Sequence, residues 1–115
     1  MDKVTKYRNI IKTALQDVYD FAPKEQDGIT NHYVKDDESG HYILYQTGHR
    51  NHKWIYGAFI HVQLKENGEV WLYHDGTNLK IGDEIISKGV DEDDFVIGWQ
   101  DPDTRAAVKA ANYRA

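Results

Sequence analysis

Val70-Trp71-Leu72-Tyr73-His74-Asp75-Gly76-Thr77, followed by Asp83-Glu84-Ile85-Ile86 and Gly89-Val90, is the stretch on which the fold turns. Apolar and ring-bearing residues alternate from Glu69 to Asp75, which predicts a strand. Leu79 to Lys88 then places Ile81 and Ile85 on one side of a short helix, with Ile86 at its shoulder. Gly82 inside that helix costs roughly 1 kcal/mol relative to alanine. Gly89 before Val90 fits a left-handed helix end with a trailing apolar contact. A strand, a turn and a capped helix therefore lie within residues 70–90.

Upstream, Trp54 to Lys65 predicts a long strand that must turn back through Glu66-Asn67-Gly68. A two-residue Asn67-Gly68 turn sets Leu64 against Trp71 and mixes aliphatic with polar residues on both faces. A three-residue loop with Gly68 left-handed pairs Leu64 with Val70 and Val62 with Leu72. The other face then carries His61, Gln63, Trp71 and Tyr73. One slip of register reverses every side chain, so the second pairing is the physical one.

Two earlier strands, Ile29 to Asp36 and His41 to Gly48, are joined by the acidic turn Asp37-Glu38-Ser39-Gly40, and Gly48 to Lys53 reads as a polar loop. The chain opens with Val4, Tyr7, Ile10, Ile11, Ala14, Leu15 and Val18 along one helical face. Asp2 caps that helix and Pro23 limits it to Ala22. Downstream, Asp91 to Asp94 offers a helical turn and Phe95 to Trp99 a fifth, buried strand. Asp101-Pro102 starts another short helix, and the tail from Ala106 is alanine-rich. The reading is α+β: residues 1–115 as one domain, with a single antiparallel sheet of about five strands. The N-terminal helix and a second short helix pack on one face.

At 115 residues the chain buries roughly 65% of its unfolded surface, enough for one core without staples. Cysteine is absent, which excludes disulfides, thiolate metal sites and cysteine nucleophiles. No apolar stretch approaches the roughly 18 residues of a membrane span, so a cytoplasmic protein with no membrane partner is expected. With 14 basic and 19 acidic residues the net charge is −5, which disfavours direct grip on DNA phosphates. The alternative is a local basic edge around Arg50, Lys53 and Arg105.

Six histidines, at 32, 41, 49, 52, 61 and 74, raise a metal-hydrolase alternative in which His41, His61 and His74 gather on the sheet. No metal-ligand spacing accompanies them. Asp91-Glu92-Asp93-Asp94 point in different directions and suit a helical turn better than a nuclease centre. Neither Ser39 nor Ser87 sits in a nucleophile elbow, and no phosphate-cradling glycine pattern occurs. No catalytic residue, metal or cofactor is assigned, and the chain does not read as an enzyme. Trp54, Tyr56, Trp71, Tyr73 and Trp99 load the strands with rings. They serve β-propensity and core filling, or a docking face for a protein.

The order of features resembles the XisI family, the fdxN element excision controlling factors of cyanobacteria. The matching residues are Tyr7-Arg8 and Ile10-Ile11, then His41-Tyr42 with Leu44 and Gly48, then Tyr56-Gly57 and Ile60-His61-Val62. Val70-Trp71-Leu72, Asp75-Gly76-Thr77, Ile81, Asp83-Glu84 and Gly89-Val90 follow. Asp94, Val96-Ile97-Gly98, Pro102 and Arg105 complete them. The segment Val108 to Ala115 departs from the family's apolar ending. The resemblance implies an accessory factor in programmed excision of a DNA element during heterocyst differentiation. It would act with a site-specific recombinase and an XisH companion factor, not as the recombinase. Joined to the sheet reading, it points to protein contact, by a partner or a second copy, through His61, Trp71 and Tyr73. Asp75, at the sheet's end, is expected to join that contact, and DNA is engaged only indirectly.

Overall fold

The structure is a computed structural model that describes residues 2–113, with side chains described through residue 107. Helix α1 spans Lys3–Phe21, and Asp2 caps it by accepting from Thr5 N at 2.8 Å. Strands follow as β1 (Glu25–Gln26), β2 (Ile29–Asp36), β3 (His41–Arg50), β4 (Lys53–Leu64) and β5 (Val70–Asp75). Helix α2 (Ile81–Ser87), a 3-10 turn (Glu92–Asp94), β6 (Phe95–Ile97) and α3 (Pro102–Tyr113) complete the chain. Among the described residues, six strands form one sheet in sequence order.

The β4–β5 register is the expected one: Leu64 faces Val70 and Val62 faces Leu72. Gly68, at φ +90°, supplies the left-handed residue of the three-residue loop. The core follows from that register. Tyr42, Leu44, Ile60, Val62, Leu64, Val70 and Leu72 point to one side, where Tyr7, Ile11, Leu15, Ile81 and Ile85 cover them. Tyr42 is fully buried and donates to Asp37 at 2.9 Å. Burial, with that carboxylate beside it, pushes its phenol up to about 12.

The sheet differs from the expected one in three respects. It has six strands, because Glu25–Gln26 adds a short edge pair beside β2. Its last pair is parallel, with Val70 opposite Phe95 and Leu72 opposite Ile97. The reason is the crossover: a helix between two strands returns the chain to run in the same direction. Phe95–Ile97 is also a half-buried edge rather than a buried strand, and Trp99 is exposed. Third, Gly48 to Lys53 is ladder rather than loop, closed by a two-residue turn at Asn51-His52 with φ of +52° and +64°. Both central residues being left-handed marks the tight hairpin turn whose twist matches its strands.

Helix α2 begins two residues later than expected and ends one earlier, at Ser87 with Lys88 as its C-cap. Gly89 N and Val90 N donate to Ile86 O and Ile85 O at 3.0 and 3.3 Å, closing its last turn with Val90 buried. Gly82 has a packing reason: a Cβ there would lie 2.8 Å from Cζ of Phe95. Asp91 caps the acidic turn through Asp93 N at 2.9 Å, and Asp101 caps α3 through Thr104 N at 2.9 Å. The expectation for the tail falls on side chains outside those described, and Arg114 and Ala115 lie outside the described residues altogether.

Candidate functional site: the aromatic face of the sheet

The face opposite the helices inherits its composition from strand alternation. If Val62, Leu64, Val70 and Leu72 point inward, then His61, Gln63, Trp71 and Tyr73 point outward. The ladder shifts by one residue between His61 and Val62, so His61 faces His74 and Tyr73 is the extra residue. Tyr73 then donates to Oε1 of Gln63 at 2.5 Å, and its ring meets His61 edge-on at 5.0 Å. Nε2 of His61 lies 2.9 Å from Nδ1 of His41. One of the two nitrogens must carry the proton, so both rings cannot be cationic at that distance without repulsion. Burial, reinforced by His41, accordingly pulls His61 below its ordinary value.

Trp71 is held more firmly than its neighbours. Lys65 Nζ sits 3.9 Å from its ring centroid, and the Arg105 guanidinium 5.1 Å. Its indole N–H donates to Glu69 at 3.4 Å. Glu69 also accepts from Asn67, and these two hydrogen bonds keep its carboxyl below the usual range. The Gly98 backbone leans on the rings, since a Cβ there would come within 3.0 Å of Tyr73 and 3.5 Å of Trp71.

His61, Trp71 and Tyr73 are therefore brought together, half-buried, neither sealed in the core nor fully free. Asp75 has a different surrounding. Its carboxylate accepts from Thr77 N at 2.9 Å, Thr77 Oγ1 at 2.6 Å and Ile81 N at 3.1 Å. It organises the turn into α2, whose own N-cap, Lys80, is left-handed and makes no side-chain cap. Gln63 joins the cluster from the face the alternation gives it, whereas His41, Lys65 and Arg105 are parts that sequence reading does not assign to it. The β3–β4 register places His41, pairing it with Gln63 and Ile43 with His61. No local signal places Arg105.

The basic edge divides. Arg50 and Lys53 oppose each other at the tip of the β3–β4 hairpin, whereas Arg105 lies over Trp71. Among the described residues no group of three or more histidine, aspartate or glutamate side chains is placed to hold a metal ion. Both serines donate locally, Ser39 to Asp36 at 2.8 Å and Ser87 to the Glu84 carbonyl at 2.9 Å. No helix among the described residues is long and apolar enough to cross a membrane. The ring cluster offers rigid apolar area and a few oriented polar atoms, the make-up of a docking surface.

Residues 1–112 match the family model described as XisI protein. A solved structure of the fdxN element excision controlling factor XisI from Anabaena variabilis is similar at 28% identity and a TM-score of 0.80. The match covers 90% of this chain and 99% of that one. A XisI-like protein from the same organism is 26% identical with a TM-score of 0.83, over 90% of this chain and 94% of its own. No curated protein matches the chain.

Proposed function

The chain belongs to the XisI family, and from that premise we propose that it is an accessory factor controlling programmed excision of a DNA element by binding a protein. The observation that carries this reading is the His41–His61–Tyr73–Trp71 cluster on the side of the sheet opposite α1 and α2. Rings fixed by neighbours bind at low entropic cost, which is why tyrosine and tryptophan dominate binding energy at interfaces. The absence of cysteine and the local ties of both serines support a non-catalytic role. In this reading the protein is cytosolic, and the partner is an XisH-like companion factor, a site-specific recombinase or a second copy of the chain. His61, Trp71 and Tyr73 make the contact, while Asp75 holds the turn beside them.

The test is titration calorimetry of the purified chain against companion factor and recombinase, with light scattering for self-association. A Trp71→Ala/Tyr73→Ala variant that keeps its circular dichroism should lose about 30-fold or more in affinity, the scale of a binding hot spot. Unchanged partner binding and unchanged mass in that folded variant would refute the assigned face.

A further inference from the structure

We infer that the distal half of the β3–β4 hairpin is an arm that binds single-stranded nucleic acid, with Trp54 and Tyr56 stacking on bases and Arg50 and Lys53 meeting phosphates. This goes beyond the protein-binding face, which lies at the other end of the sheet. Trp54 is nine residues along β4 from Gln63, roughly 30 Å in an extended strand.

The hairpin leaves the core at an identifiable point. Leu44 and Ile60 are fully buried, and among the described residues none between them is. The β3–β4 ladder shifts register between Leu44 and Tyr45, β5 pairs with β4 only as far as Ile60, and β2 follows β3 only as far as Gly48, so the hairpin tip extends past both neighbours.

Its composition is not that of a passive extension. Residues 41–64 contain Arg50, Lys53 and four of the six histidines but none of the 19 acidic residues. The acids of this −5 chain lie elsewhere, so the arm carries charge opposite to the whole. Arg50 and Lys53 face each other as the last ladder pair, an arrangement that repels. Among the described residues neither side chain has an ion pair or hydrogen bond to relieve it. Carboxylates flank the arm on its β2 side: Asp27 precedes Gly28, whose carbonyl accepts from His49 N at 3.2 Å, and Glu25 pairs with Thr30, the partner of Thr47. An anion at the tip relieves the Arg50–Lys53 repulsion.

The rings select the kind of anion. Trp54 is 61% exposed and Tyr56 71%, on the same side of β4 and two residues apart. That spacing is roughly 6.5–7 Å, close to the reach between bases of an extended strand. His49 supports Trp54 at 5.1 Å between centroids, and Tyr45 supports Tyr56 at 6.2 Å. Unstacked bases offer the π faces such rings need, whereas a closed duplex hides them.

The experiment is fluorescence anisotropy of the full chain with a labelled oligothymidylate of about 16 nucleotides, a duplex of equal length, and polyglutamate as competitor. The oligothymidylate should bind at low salt more tightly than the duplex, and polyglutamate should not displace it. Trp54→Ala/Tyr56→Ala should weaken binding at least about tenfold, with Trp54→Phe retaining most of it. Arg50→Gln/Lys53→Gln should flatten the log–log salt slope by about 1.4, two phosphate contacts on a single strand. No binding at low salt, equal affinity for duplex, displacement by polyglutamate, or indifference to the ring substitutions would each overturn the inference. None of these outcomes bears on Trp71 and Tyr73, whose test uses protein partners.

Discussion

Replacing Asp75 with alanine separates a residue that builds the site from one that touches the partner. The carboxylate accepts three hydrogen bonds, from Thr77 N, Thr77 Oγ1 and Ile81 N. Ile81 N–H belongs to a residue only 1% exposed at the start of α2, so its loss resembles loss of a helix cap, about 0.5–2 kcal/mol. The two Thr77 bonds lie in a partly buried turn and share one acceptor oxygen, so they add about 1 kcal/mol rather than twice the value of an isolated bond. The expected loss is about 2–3 kcal/mol, or roughly 10 °C in Tm for a domain of this size. Asp75→Asn keeps the shape and one acceptor oxygen and should lose about half as much. Urea titration gives the free energy and thermal melting the shift. A loss below about 0.5 kcal/mol for alanine would refute the structural role. In the same variants, partner affinity per folded molecule should stay at the wild-type value. Lost affinity at full stability would instead put the carboxylate in the interface.

Leu44→Ala removes a fully buried side chain at the foot of the arm and should cost about 2–5 kcal/mol by urea titration. A cost under about 1 kcal/mol would mean that the core collapses around the gap. Gly68→Ala forces a Cβ onto a residue at φ +90°, and about 1–2 kcal/mol of backbone strain should appear in the same assay. His61 is held below its ordinary 6.5 by burial and by His41, so the fold favours its neutral form. The unfolded chain takes up that proton first, so stability is full above the ordinary value and falls as pH drops towards the depressed one. His61→Gln should therefore flatten the stability profile just below that value, and an unchanged profile would locate the dependence elsewhere.

What the chain made legible follows from how locally each feature is determined. The α1 face and the Leu64–Val70 pairing rest on periodicity and on one turn glycine, so residues close in sequence decide them. The same alternation puts Trp71 and Tyr73 on one face and predicts the ring cluster. The Asn51-His52 turn lacks the glycine that usually announces a left-handed pair, so no sequence signal marks the closure of the hairpin there. Strand direction at β6 depends on how α2 packs, which no pattern in residues 95–97 encodes. Arg105 reaches Trp71 across more than thirty positions, and Asp75 reaches Ile81 across a turn. Both contacts are set by tertiary packing rather than by propensity.

Amide hydrogen exchange of the complex with the companion factor or recombinase probes the docking face most directly. Binding should slow exchange across residues 61–63 and 71–73 while leaving the outer surface of α1 as it is in the free chain. Protection confined to α1, with the ring-bearing strands exchanging at their free rates, would contradict the assignment.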